Sequence, residues 1–187
     1  RSFYTTELGW KTSRRRWDDP KSGFIRPYLF IAKLIDRIKI ILARRRYRSL
    51  CEDPSTLGKY ILFAPPMEPE AAVLPTALEG RYVFSALKSI SKELPEGVNI
   101  VYKENPGQFD QQILFTTEWK SKFYYENLKN IIFVREDSST SDLIANSIGV
   151  ATLNGSIGLE AVISGKHCIT FASQWYDGFN GLHYAKT

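Results

Sequence analysis

The hydrophobic pattern changes character part-way along the chain. From about Pro27 to Leu50, apolar residues recur at three- and four-residue steps, with Tyr28, Ile31, Leu34, Ile35, Ile38, Ile41 and Leu42 marking one stripe. That spacing predicts a helix. Pro27 suits a first helical turn, and Arg44-Arg45-Arg46 suits a C-terminal end. Lys33, Asp36, Arg37 and Lys39 interrupt the apolar run, so it is no transmembrane span. Residues 1–22 show little periodicity and read as irregular. Cys51 to Gly58 (CEDPSTLG) reads as a linker, dividing a leader over 1–58 from a domain over 59–187.

After the linker, short continuous apolar runs alternate with helical patterns. Strands are expected at Tyr60–Ala64, Asn99–Lys103, Ile131–Val134, Val150–Leu153 and Cys168–Phe171, with helices at about 75–94, 117–129, 140–147 and 157–164. Unbroken strand runs are what a sheet covered by helices on both faces requires. The order predicts an α/β fold: a Rossmann-like, doubly wound parallel sheet of about five strands behind a long N-terminal helix. Ligands of such sheets bind at the C-terminal ends of the strands. The unusual loops fall there, among them Pro65 to Glu70, Glu104 to Gly107 and Asn154 to Ser156.

Charge is unevenly placed. Residues 1–50 hold 14 Lys/Arg against 4 Asp/Glu, a net of +10, and residues 51–187 hold 11 against 16, a net of −5. A mildly acidic main domain argues against nucleic acid as a partner, whatever the whole-chain pI. The basic leader, with Arg14–Arg16, Arg44–Arg48, Trp10 and Trp17, suits peripheral contact with an anionic membrane surface; its apolar stripe suits packing on a partner domain. Cys51 and Cys168 are far apart, which fits reduced thiols and a cytoplasmic setting. The first residue is Arg and no terminal helix is evident, so the chain is expected to be a piece of a longer protein.

The chemistry concentrates in residues 150–171 (VATLNGSIGLEAVISGKHCITF). An apolar run meets a small polar turn, Asn154-Gly155-Ser156, and a helix pattern carrying Gly158 and Glu160 follows. Such a turn aims backbone N–H groups at a phosphate, with Gly155 free to adopt φ > 0, and Glu160 is placed to accept from sugar hydroxyls. Ser156 also suits an N-cap, although Leu159 rather than Glu three residues on leaves no capping box. A nucleophile elbow would need Gly where Asn154 stands. Lys103 suits a phosphate counter-charge and Asn105 a sugar or base contact, or the two simply end a strand before Pro106. Glu68 and Glu70 are candidates for a general base. Trp175, Tyr176 and His183 suit stacking on a base or sugar ring, or a hydrophobic plug. Neither His pairs with Cys, Asp or Glu at metal-ligand spacing, so no metal is expected.

From Tyr60 onward the chain resembles the capsule polysaccharide and surface-carbohydrate biosynthesis glycosyltransferases, in their C-terminal, donor-binding half. Three stretches carry this: ILFAPPMEPEA (61–71), NIVYKENPG (99–107) and TLNGSIGLEAVISGKHCITFASQWYDG (152–178). The resemblance covers roughly residues 59–181. It implies two Rossmann-like domains facing across a cleft (the GT-B architecture), no metal and no cofactor. The substrate it implies is a nucleotide sugar, a CMP-activated acidic sugar (Kdo), and the acceptor a glycan or glycolipid of capsule or lipopolysaccharide, at the inner face of the cytoplasmic membrane. Ser156, Gly158 and Glu160 would then contact the donor nucleotide, and Lys103 with Asn105 its phosphate or sugar. One departure stands out: the family motif ends in His-Pro, and here Asn105-Pro106 replaces it. Asn hydrogen-bonds but carries no proton at neutral pH. Other readings of the same pattern are a nucleotide-sugar 2-epimerase, which shares the architecture, and a binding module without chemistry. A GT-B donor half is expected to be inactive alone.

Overall fold

The computed structural model describes residues 25–66, 83–109 and 126–185, apart from the side chains of residues 25–29, 32 and 33. Glu68, Glu70 and the helix patterns over 75–82 and 117–125 lie outside the described residues. The chain divides into two compact units, Arg1–Lys39 and Ile40–Thr187. In the first, the described part is the leading stretch of helix α1 (Ile25–Arg48). Its Phe30, Ile31, Leu34, Ile35 and Ile38 are exposed.

The second unit holds the end of α1 and a six-stranded sheet. Its strands are β1 (Lys59–Phe63), β2 (Val98–Lys103), β3 (Ile131–Val134), β4 (Gly149–Thr152), β5 (Cys168–Thr170) and β6 (Leu182–Tyr184). All neighbours pair in parallel, in the order β3-β2-β1-β4-β5-β6. The doubly wound parallel sheet expected from the sequence is therefore present, with a sixth strand added. β6 is three residues long, and His183 and Tyr184 are exposed, so no apolar run announces it.

Among the described residues, three further helices cover the sheet: α2 (Val83–Glu93), α3 (Thr140–Asn146) and α4 (Ile157–Ile163). Side chains alternate between the two faces, so each strand feeds two cores. Phe63, Ile100, Tyr102, Phe133 and Ala151 pack with Ala86, Leu87 and Ile90 of α2 and with Tyr47 of α1. Leu62, Val101, Val134 and Val150 pack with Leu143 and Ile144 of α3 and with Ile157 and Ala161 of α4. Tyr47 explains why the sheet-bearing unit begins at Ile40, ahead of the linker pattern at 51–58. That segment runs beside the sheet edge, where Cys51 bridges Phe133 and the Glu52 N–H donates to the Phe133 carbonyl at 2.8 Å.

Helix ends follow local chemistry. The Ser139 hydroxyl accepts from the Asp142 N–H at 3.3 Å and starts α3. α4 ends in a Schellman motif: the Lys166 N–H donates to the Ala161 carbonyl, and the Gly165 N–H to that of Val162. Gly165 sits there at φ 74°, where a side chain would be strained.

Candidate functional site: a cavity at the strand-order reversal

β1 pairs with β2 on one side and β4 on the other, so chain connections leave β1 in opposite directions across the sheet. Loops that diverge from such a point leave a crevice beyond the carboxyl ends of the strands. A cavity of about 410 Å³ lies there. Its walls are Ala64–Pro66 after β1, Lys103–Pro106 after β2, Thr140 at the start of α3, and Asn154–Ile157 with Glu160 from the β4–α4 turn.

Lys103 is the cation in this wall. Its Nζ donates to the Thr140 hydroxyl at 2.8 Å, the one partner it has among the described residues. The side chain is largely buried, and that burial holds its pKa below the ordinary lysine value, while Glu160, Asp137 and Glu136 act in the opposite direction. With one hydroxyl as its hydrogen-bond partner among the described residues, the ammonium keeps further N–H donors to offer a ligand in the cavity. Glu160 projects from the first turn of α4, is exposed, and has no side-chain hydrogen bond among the described residues. It is thus available as an acceptor for ligand hydroxyls. Glu104 is fully buried: one carboxylate oxygen accepts from the Tyr102 hydroxyl at 3.1 Å and the other from the Asn105 N–H at 3.1 Å.

The turn after β4 is braced from below. The Thr152 hydroxyl donates to the Ala64 carbonyl at 3.2 Å and accepts from the Gly155 N–H at 3.1 Å, tying the ends of β1 and β4 together. The Leu153 carbonyl accepts from the Thr170 hydroxyl and from Gln174 Nε2. Tyr176, 1% exposed, donates its hydroxyl to the Gly155 carbonyl at 2.6 Å. Burial raises that phenol's pKa, so it remains a neutral donor at physiological pH. Gly155 is absent from the positive-φ glycines, contrary to the sequence expectation. Space is the reason for glycine here: a Cβ would lie 3.0 Å from the Thr152 hydroxyl. Ser156 is exposed in helical geometry and its side chain caps nothing, which leaves its hydroxyl to the cavity.

Six residues singled out from sequence therefore meet in one wall: Lys103, Asn105, Asn154, Gly155, Ser156 and Glu160. Asn105 also performs the turn role, its side-chain oxygen accepting from the Gly107 N–H at 2.9 Å. Gly158 lies behind the wall, buried against Tyr176 and Cys168. Trp175 is 79% exposed outside the cavity, and Tyr176 acts as a brace for the turn. His183 contacts His167 (Nε2 to Nδ1, 2.8 Å), which precedes β5 at the end of the sheet away from the cavity. Sequence reasoning passed over Thr140, Glu104, Thr152 and Gln174; their local patterns are those of ordinary strand ends and caps. Among the described residues, no three His, Cys, Asp or Glu side chains gather in a way that would hold a metal ion. No helix there is long and apolar enough to cross a membrane.

The sheet order, with a cavity at its reversal, defines a Rossmann-like α/β domain. The profile of the family described as "Capsule polysaccharide biosynthesis protein" matches residues 78–187, and the chain belongs to that family. Comparison with curated proteins gives no match. Among solved structures, it is similar to KpsC of Thermosulfurimonas dismutans, named as a β-Kdo 2,7 transferase, with TM-score 0.52 and 21% identity over 81% of this chain and 46% of that one. A second, named as the β-Kdo 2,4 transferase of the same KpsC, gives TM-score 0.56 and 15% identity over 81% of this chain and 49% of that one. At these identities the likeness is one of fold. The chain spans about half the length of either structure.

Proposed function

We infer that the chain is the donor-binding part of a glycosyltransferase of capsule polysaccharide assembly, and that its cavity holds a nucleotide-activated sugar. The observation that carries this is the meeting of Lys103, Ser156 and Glu160 in one cavity where the strand order reverses. Lys103 and the Ser156 hydroxyl would take the phosphate, and Glu160 the hydroxyls of a ribose or sugar. The Asn105 side-chain amide would donate to the sugar or base. Stabilisation of the leaving phosphate then rests on pre-placed donors and one ammonium, and positioning supplies the rest of the rate.

The charge balance favours a nucleoside monophosphate link over a diphosphate. Among the described residues the wall offers Lys103 as a cation against Glu104 and Glu160. A phosphodiester carries one negative charge, which one ammonium matches. A pyrophosphate brings two toward two carboxylates. This supports a donor joined through a single phosphate; the acidic, CMP-linked sugar rests instead on the likeness to the Kdo transferases, and transfer to a glycan or glycolipid held by a facing domain of GT-B type would need no metal. The exposed apolar stripe of α1 and its basic residues support peripheral contact with an anionic membrane surface, and transfer at the inner face of the cytoplasmic membrane is the setting proposed with it.

Calorimetric titration with CMP, CDP, UDP and GDP in metal-free buffer tests this reading. Selective binding of CMP, at least tenfold weaker in Glu160→Ala with the melting temperature retained, is expected. Equal affinity of Glu160→Ala and wild type would overturn the assignment of Glu160, and absence of binding by every nucleotide would overturn the donor site.

A further inference from the structure

We propose that Tyr47, far in sequence from Lys103 and Asn105, is a positioning residue for the Lys103–Asn105 wall, acting through a hydroxyl that spans the ends of β2 and β3. The inference rests on the nucleotide-site reading and deepens it.

The parallel ladder of β2 and β3 closes at the pair Lys103 and Val134. At that end the Tyr47 hydroxyl donates to the Val134 carbonyl at 2.7 Å and accepts from the Glu104 N–H at 3.0 Å. One oxygen therefore bridges two backbone groups and sets the separation of the strand ends. Glu104 is the residue between Lys103 and Asn105, so the bridge fixes the peptide from which both donors project. The Glu104 carboxylate extends the same restraint by accepting from the Asn105 N–H.

The ring has little freedom. Tyr47 is 1% exposed, with Phe109 tilted against it at 5.4 Å between centroids and Phe133 edge-on at 6.0 Å. One residue on, Arg48 donates to the Glu136 carboxylate through Nε at 3.0 Å and Nη2 at 2.6 Å, which anchors the end of α1 beside β3. Burial raises the phenol pKa well above its ordinary value, so the hydroxyl keeps its proton and both bonds across the neutral range. A packing role needs only the ring. The two hydrogen bonds are what a positioning role adds.

Tyr47→Phe removes that oxygen and retains the ring. With CMP as probe, Tyr47→Phe of the full chain is expected to bind about tenfold more weakly, and Lys103→Ala to absorb that loss, so the double variant differs from Lys103→Ala by less than about twofold. A purely structural role would give the same fold-loss in both backgrounds, and that result overturns the proposal. Amide exchange at Glu104 in the wild-type chain supplies a second reading that needs no variant: CMP is expected to slow it, and an unchanged rate overturns the proposal. Wild-type binding with Tyr47→Phe unaltered removes this inference and leaves the nucleotide site standing. Failure of the wild-type chain to bind removes both.

Discussion

Gly158→Ala is the substitution that most sharply separates a packing glycine from a ligand-binding one. A Cβ at position 158 would overlap the Tyr176 hydroxyl, lie 3.1 Å from Cys168 Sγ and lie 3.2 Å from Tyr176 Cζ. Tyr176 and Cys168 are buried, and the Tyr176 hydroxyl is bonded to the Gly155 carbonyl, so the ring cannot swing aside freely. Overpacking of this kind costs about 1–3 kcal/mol. Displacing the hydroxyl forfeits its hydrogen bond, about 1 kcal/mol more. Alanine in place of glycine within a helix returns about 1 kcal/mol. The net is a loss of about 2 kcal/mol, which for a chain of this size lowers Tm by roughly 4–8 °C. Thermal unfolding followed by circular dichroism reads that shift. Repeating it in a Tyr176→Phe background, where the obstructing oxygen is gone, is expected to recover at least half of the loss. A Gly158→Ala chain as stable as wild type would refute the reasoning, as would a loss unaffected by Tyr176→Phe.

Further outcomes follow from the same geometry. Lys103→Met is expected to weaken CMP binding about ten- to a hundredfold, the effect of losing a charged hydrogen bond, in calorimetry. Burial lowers the Lys103 pKa, so below the ordinary lysine value near 10.5 the unfolded chain binds more protons than the folded one. Its contribution to stability therefore rises with pH in the window just under that value. A bound phosphate reverses the shift, so CMP binding there should take up protons, measured by titration in buffers of different ionisation heat. The Cys168 thiol, pushed up to about 12 by burial, should resist iodoacetamide at pH 8 in the folded chain and react on unfolding, followed by mass spectrometry.

The fold was legible because its strands are buried on both sides. The β2 to β4 runs are apolar almost without interruption, and both faces of the sheet carry helices. β6 escaped because an edge strand of three residues needs no such run. The cavity wall was largely legible too, since Lys103, Asn105 and the 154–156 turn sit where strands end. What supports that wall was not. Tyr47, Thr152, Thr170, Gln174 and Tyr176 act through hydrogen bonds to backbone groups far away in sequence, and nothing in a local pattern encodes such a partner. Gly155 and Gly158 show the same limit. A glycine signals either a special φ or a close neighbour, and here the close neighbours are Thr152 and Tyr176.

The central claim is that the crevice at the strand-order reversal binds a nucleotide, and NMR mapping of CMP binding on this 21.4 kDa chain tests it most directly. The amides of 103–105 and 154–160 are expected to shift together on titration, with those of β6 and its His183 unmoved. Shifts confined to residues outside that wall, or none at saturating CMP, would contradict it.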